Sequence, residues 1–168
     1  MKKVILGATG SIGSSLAKKL VDSGEQVHLV GRDEASLSEL ANELNSTFTT
    51  CDVLEENFSE KIINDLKDEQ VNGLAYCVGS IDLKPLKLTK KSDFMQSFNL
   101  NLVSATEIIK SLADNLKASK GSIVLFSTVA VQQGFPNHAI VSSAKGAVEG
   151  LTLALAAEYA PNIRVNCI

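Results

Sequence analysis

Seven residues near the start, Gly7-Ala8-Thr9-Gly10-Ser11-Ile12-Gly13, restrict this chain more than any other stretch. They follow the apolar run Val4-Ile5-Leu6 and lead into Leu16, Leu20 and Val21 at helical spacing. The pattern predicts a buried strand that turns through glycines directly into an amphipathic helix. Glycine lets such a turn close tightly and lets backbone approach a ligand that a Cβ would hold away. The first N–H groups of the helix have no carbonyl partner, and the helix dipole adds partial positive charge beside them. An anion fits there, above all the pyrophosphate of a dinucleotide. Gly7, Gly10, Ser11, Ile12 and Gly13 are its candidate contacts.

Beyond the turn, strand and helix signals alternate with no linker, repeat or low-complexity tract. Val27–Val30, Phe48–Cys51, Gly73–Val78, Ser122–Phe126 and Ile163–Ile168 read as further strands. One predicted helix is capped by Asp33 and carries Leu37, Leu40, Ala41 and Leu44; the next carries Phe58, Ile62, Ile63 and Leu66. Two long ones follow, Ser92–Leu116 with Phe94, Phe98, Leu102 and Ile109 inward, and Ser142–Tyr159. Continuous apolar strands between amphipathic helices predict an α/β fold: a Rossmann-type, doubly wound parallel sheet with helices on both faces. Residues 1–168 read as a single domain that stops after its sixth strand without a closing helix, as a truncated chain would. Ligands of such sheets sit beyond the carboxyl ends of the strands. That rule selects Gly7, Arg32, Asp52, Gly79 and the pair Ser127-Thr128.

Composition narrows the classes. A hydrophobic content of 45% suffices for a core, and a net charge of −3 spread along the chain offers no basic face for nucleic acid. The opening Met1-Lys2-Lys3 resembles the start of a signal peptide, but its apolar run ends at Gly7. No stretch reads as membrane-spanning, so no membrane partner is expected and a cytoplasmic setting is. Cys51, Cys77 and Cys167 lie far apart in strand-like contexts, which is neither a disulfide framework nor a metal spacing.

From the glycine turn onward the chain resembles the short-chain dehydrogenase/reductase family, along its full length. Cys51-Asp52-Val53 is similar to the family's Asp-Val pair beside the adenine. Asn101 stands where the family has a structural and catalytic Asn. Ser127-Thr128 resembles its catalytic serine region, and Ser142-Ser143-Ala144-Lys145-Gly146-Ala147 the segment with its catalytic Lys. The resemblance implies hydride transfer between a nicotinamide cofactor and a small carbonyl or alcohol substrate. It implies catalytic roles for Asn101, Thr128, Lys145 and the neighbouring Ser127. It assigns cofactor contacts to the glycine turn, Arg32, Asp52, Val53, Gly79 and Lys145. It also implies a homo-oligomer formed through the two long helices.

Three departures stand out. Ser11 replaces the usual middle glycine of the turn, and Tyr76-Cys77-Val78-Gly79 keeps only the glycine of the family's Asn-Asn-Ala-Gly. The third concerns chemistry: four residues before Lys145, where the family has its catalytic Tyr, stands Val141. Valine has no proton to give, and losing general acid–base catalysis costs about 10²–10⁴ in rate. Lys145, His138, Tyr76 and a water relayed by Lys145 are the alternative proton sources. Arg32 after the second strand can pair with a 2′-phosphate, while Asp33 is accounted for as a helix cap, so NADP(H) is expected over NAD(H). Two other readings follow from these departures: a non-catalytic dinucleotide-binding or regulatory module, and a structural partner that dimerises without nucleotide.

Overall fold

The opening apolar run becomes β1 (Lys2–Leu6) in a computed structural model that describes residues 1–168. Val4, Ile5 and Leu6 are wholly buried because β1 lies inside a six-stranded sheet of order β3-β2-β1-β4-β5-β6. The other strands are β2 (Gln26–Gly31), β3 (Thr47–Thr50), β4 (Val71–Tyr76), β5 (Ser122–Leu125) and β6 (Arg164–Cys167). Every pairing is parallel. The order reverses between β1 and β4, which opens a crevice at the strands' carboxyl ends.

Successive strand residues point to opposite faces, so each strand feeds two cores. Ile5, Val27 and Leu29 pack with α1 (Ser11–Asp22) and α2 (Glu34–Glu43). Val4, Leu6, Leu74, Ile123 and Val165 pack on the other side with α3 (Phe58–Leu66), α5 (Ser104–Ala118) and α7 (Ala139–Tyr159). Both faces therefore carry helices. Coverage on the α1–α2 side stops short of β5 and β6, whose Val124 is half-buried and whose Arg164 and Asn166 are exposed.

The long region expected over Ser92–Leu116 is three pieces: α4 (Lys91–Phe98), a π-helical segment at Asn99–Val103, and α5. The wide turn shifts the phase, so Phe94, Phe98 and Leu102 are only half-buried, while Ser97, Asn101 and Ser104 take the inward positions. A short α6 (Ala130–Gln133) precedes α7, which starts three residues earlier than its periodicity suggested. The expectation that no stretch reaches membrane-spanning length does not hold for α7. This 21-residue helix contains an 18-residue window of mean hydropathy 1.3 and is long and apolar enough by length and composition to cross a bilayer. Lys145, Glu149 and Glu158 interrupt the apolar run and hid its length. Here α7 packs on β6 and buries Ile140, Val141, Ala144, Val148 and Thr152.

One polar group lies deep at the other end of the sheet. His28 on β2 is almost fully buried, its Nδ1 2.8 Å from Thr47 Oγ1 and its Nε2 2.9 Å from Thr49 Oγ1. Thr49 donates in turn to Asp65 Oδ2 at 2.6 Å. Desolvation, with the nearby Lys2 ammonium second, lowers the His28 pKa from 6.5 to about 4. The unfolded chain therefore binds a proton below pH 6.5 that the folded chain refuses until about pH 4. The stability this group provides is whole above pH 6.5 and falls through that window. Between pH 7 and 5 the loss should be about 2 kcal/mol, read from urea midpoints. His28→Gln should flatten the slope, and an unchanged slope would exclude His28 as its source.

Candidate functional site

The turn after β1 closes as the glycines demanded. Gly7 has φ +73°, and a Cβ there would lie 2.9 Å from the backbone carbonyl of Cys77. A Cβ on Gly13 would drive into the Gly7 carbonyl oxygen and stand 2.9 Å from the Ala8 Cα. The start of α1 thus rests directly on the loop that precedes it. Its N-cap, Gly10, supplies no side-chain cap and its first turn holds no acid. The N–H groups of Ser11, Ile12 and Gly13 are left for an outside acceptor. Backbone bonds carry the sheet's order into the loops: Ala8 N donates to Val30 O, Cys77 N to Leu6 O and Cys51 N to Gly31 O.

These loops enclose a cavity of about 280 Å³ at the β1–β4 crevice. Gly7, Gly10, Arg32, Asp52, Val53 and Gly79, all singled out from the sequence, line it. Ser11, Ile12 and Gly13 form the helix start beside it without lining it, and Lys145 lies behind Gly79. Gly31, where NAD-preferring relatives have Asp, lines it too, as do Thr9, Cys77, Val78, Ser80 and Leu100, which were not singled out. Most of these adjoin a selected residue at a strand's end, so widening that criterion by one or two positions would have found them.

Each wall is fixed locally. Asp52 Oδ1 accepts from Leu54 N at 3.0 Å, and the Val53 carbonyl accepts from Ser104 Oγ at 2.8 Å. Asp33 Oδ1 accepts from Ser36 N at 2.9 Å, so this carboxylate caps α2. Arg32 next to it is exposed and makes no ion pair or side-chain hydrogen bond. Gly31 leaves room there: a Cβ would meet only Leu37 and Thr9 side-chain atoms, at 3.4 Å and beyond.

Asn101 and Lys145 converge behind Gly79. A Cβ on Gly79 would stand 3.0 Å from Asn101 Oδ1 and 3.4 Å from Lys145 Nζ. Asn101 Nδ2 donates to the Ser97 carbonyl at 2.9 Å, but its buried Oδ1 has no partner. Burial lowers the Lys145 pKa from its ordinary value. Burial also pushes the Cys77 thiol up to about 11, with the Lys145 charge opposing the shift. Val141 is buried in the core, as a helix-packing residue should be.

Tyr76 is no proton source for the cavity. It is buried, its hydroxyl donates to the Leu100 carbonyl at 2.7 Å, and desolvation raises its pKa. That bond reaches the π-helical segment, whose Asn99 carbonyl accepts from the Ser104 backbone N–H; Ser104 Oγ, whose one proton goes to the Val53 carbonyl, stands 2.9 Å from the same Asn99 oxygen. His138 is the N-cap residue of α7, with Nδ1 2.8 Å from the Pro136 carbonyl. Ser127 and Thr128 line a separate cavity of about 620 Å³ at the ends of β5 and β6. Ser127 Oγ donates to Glu149 Oε1 at 2.5 Å, and Thr128 Oγ1 accepts from Ala130 N at 3.3 Å. Glu149 escaped the sequence reading because it looked like one charge on a helix face.

A family model described as enoyl-(acyl carrier protein) reductase matches residues 7–168. An L-fucose dehydrogenase of Oryctolagus cuniculus is 32% identical over 98% of this chain, which spans 60% of that protein. An L-xylulose reductase of Bos taurus is 31% identical over 99%, and the chain spans 69% of it. A tropinone reductase homologue of Arabidopsis thaliana is 34% identical over the whole chain, which spans 68% of that relative. Among solved structures, a short-chain dehydrogenase/reductase family protein superposes with TM-score 0.92 at 25% identity, over 99% of this chain and 72% of that one. The L-sorbose reductase of Gluconobacter frateurii, solved with NADPH and L-sorbose, shares the fold with TM-score 0.93 at 21% identity, over 99% and 67% of the two chains.

The bond from Tyr76 to the π-helical segment yields a direct test. Tyr76→Phe leaves the Leu100 carbonyl without its side-chain donor in a partly buried place, at a cost of about 1–3 kcal/mol. Urea denaturation should register that loss, and an unchanged midpoint would show that the bond is dispensable.

Proposed function

We propose that this chain, which belongs to the short-chain dehydrogenase/reductase family, holds a nicotinamide dinucleotide at the β1–β4 crevice and works on small carbonyl or alcohol substrates. The carrying observation is the fit of the crevice to that group. Gly7, Gly10 and Gly79 and the unpaired Arg32 line one cavity, and the unpartnered N–H groups that start α1 stand beside it. In this reading Gly7, Gly10, Ser11, Ile12 and Gly13 hold the pyrophosphate, and Asp52 and Val53 border the adenine. Gly79 leaves the backbone open beside Lys145, which contacts the nicotinamide ribose. Arg32 favours NADP(H) over NAD(H), since a guanidinium pairs bidentately with a 2′-phosphate and Asp33 is committed to its cap.

A bound nicotinamide supplies or accepts the hydride. The protein's share is orientation and proton management. Thr128, with Ser127 beside it, would hold the substrate oxygen, and Asn101 orders the inner wall. Val141 removes the usual proton donor, which corresponds to about 3–5 kcal/mol of barrier. Turnover is therefore slow in this reading. A second reading, a dinucleotide-binding module without turnover, is favoured by that same buried Val141. Pairing of two copies through α5 and α7 completes the proposal, supported by the exposed Val103 beside α5 and Leu153 on α7.

NADPH should raise the melting temperature, by about 2.7 kcal/mol of stabilisation at a hundredfold excess over Kd. Arg32→Ala should weaken NADPH about tenfold in calorimetric titration and leave NADH unchanged, in line with one exposed charge-assisted contact. Equal losses for both cofactors would remove the selectivity argument. Val141→Tyr should raise turnover on a carbonyl panel by about 10²–10⁴ while NADPH binding persists. Binding without turnover in either form would favour the module.

A further inference from the structure

We infer that the segment Ile81–Lys91, which leads from β4 into α4, is a docking surface for an anionic lipid bilayer. The contact is peripheral, needs no spanning helix and stands whether or not the crevice holds a cofactor. A surface loop ordinarily turns its charged side chains to water and tucks large apolar ones inward. Here the pattern is inverted. Ile81 and Leu83 are exposed, while Asp82 and Lys84, which alternate with them, are half-buried. Lys84 Nζ lies 2.9 Å from Asp82 Oδ2 and 3.1 Å from Asp93 Oδ2, so these charges are spent on one another. Leu86 and Leu88 follow, and all four aliphatic side chains are more than half exposed.

The segment is held in this form by its own hydrogen bonds. Lys84 N donates to Asn137 O at 3.1 Å, which ties it to the turn before α7, where Phe135 is exposed as well. Leu88 N donates to the Pro85 carbonyl at 2.8 Å, and Thr89 gives both its N–H and its hydroxyl to Leu86 O. Lys90 N donates to Asp93 Oδ2 at 2.7 Å and closes the start of α4. Exposure of the leucines is therefore built into the loop, and a partner that covers them has little left to order.

Charge selects the partner. Residues 80–93 hold four lysines and two aspartates, in a chain whose net charge is −3. Both aspartates are engaged by Lys84, and the exposed Lys87, Lys90 and Lys91 have no ion pair. Aliphatic side chains interleaved with free ammonium groups match a lipid interface. The apolar groups enter the acyl boundary, and the lysines stay among anionic headgroups. The acidic excess of the remaining chain turns this segment, and not another, toward such a surface. A second copy fits less well, since two-fold pairing of the segment would set the same lysines against one another.

The test mixes the whole chain with phosphatidylcholine vesicles, with and without phosphatidylserine, and measures co-sedimentation at low and raised salt. Binding should require phosphatidylserine and fall as salt rises. Lys87→Ala and Lys91→Ala should each weaken it about fivefold, as the loss of one lysine beside an anionic surface would. Lys117→Ala, in the last turn of α5, should leave it unchanged. Leu86→Ser combined with Leu88→Ser should weaken it about tenfold at low salt. The melting temperature should hold, because both side chains are already exposed. If that double variant fails to fold, the lysine variants decide alone. No binding to phosphatidylserine vesicles at low salt overturns the inference. So does equal binding to pure phosphatidylcholine, or binding that the lysine and leucine substitutions leave intact. Self-association that the leucine variant loses, without vesicle binding, overturns it too and gives the patch to a second copy.

Discussion

The contact between Gly13 and the Gly7 carbonyl sets the geometry on which the rest depends. With no side chain between them, α1 begins against the end of β1 instead of a few ångströms beyond it. Its unpartnered N–H groups are thereby held at the point where the sheet order reverses. β1 can bear this because Val4, Ile5 and Leu6 are buried from both sides, so the strand behind the turn has nowhere to move. The neighbouring loops inherit that rigidity through single backbone bonds from Ala8, Cys51 and Cys77.

The parts of this design that follow from chain periodicity were legible beforehand. Apolar strands, glycine turns and the Asp33 cap are local signals, and each reappears with its partner in place. The misses share a different cause. The π-helical segment at Asn99–Val103 leaves no mark on a 3.6-residue pattern, so Phe94, Phe98 and Leu102 looked inward where Ser97, Asn101 and Ser104 are. Tyr76 looked like a strand-end residue near the site, because nothing local says that its hydroxyl reaches a carbonyl 24 positions away. The Ser127–Glu149 bond spans 22 positions and is invisible for the same reason. Long-range pairing by side chains is what one sequence conceals.

Binding and chemistry rest on different kinds of atoms here. The cradle is mostly backbone, made of N–H groups, carbonyls and absent Cβ atoms, and tolerates many changes of side chain. The chemical side rests on a few side-chain atoms, Asn101 Oδ1, Lys145 Nζ and the hydroxyls near β5. A single replacement such as Val at position 141 can therefore alter proton handling while leaving the cradle whole. It also leaves Lys145 with neighbours unlike those of a lysine beside a phenol.

The π-helical segment also limits how this chain can drift. Its Leu100 carbonyl accepts from Tyr76 of β4, and its Asn99 carbonyl from the backbone N–H of Ser104 at the start of α5. Tyr76 cannot be exchanged freely, since its side chain alone bonds this turn to the sheet through Leu100. An evolutionary path that restores an asparagine at position 76 would first have to tighten that turn or recruit another donor for Leu100. Position 76 should therefore change together with that turn across descendants of this chain, and grafts from relatives that move position 76 alone should be the ones that fail.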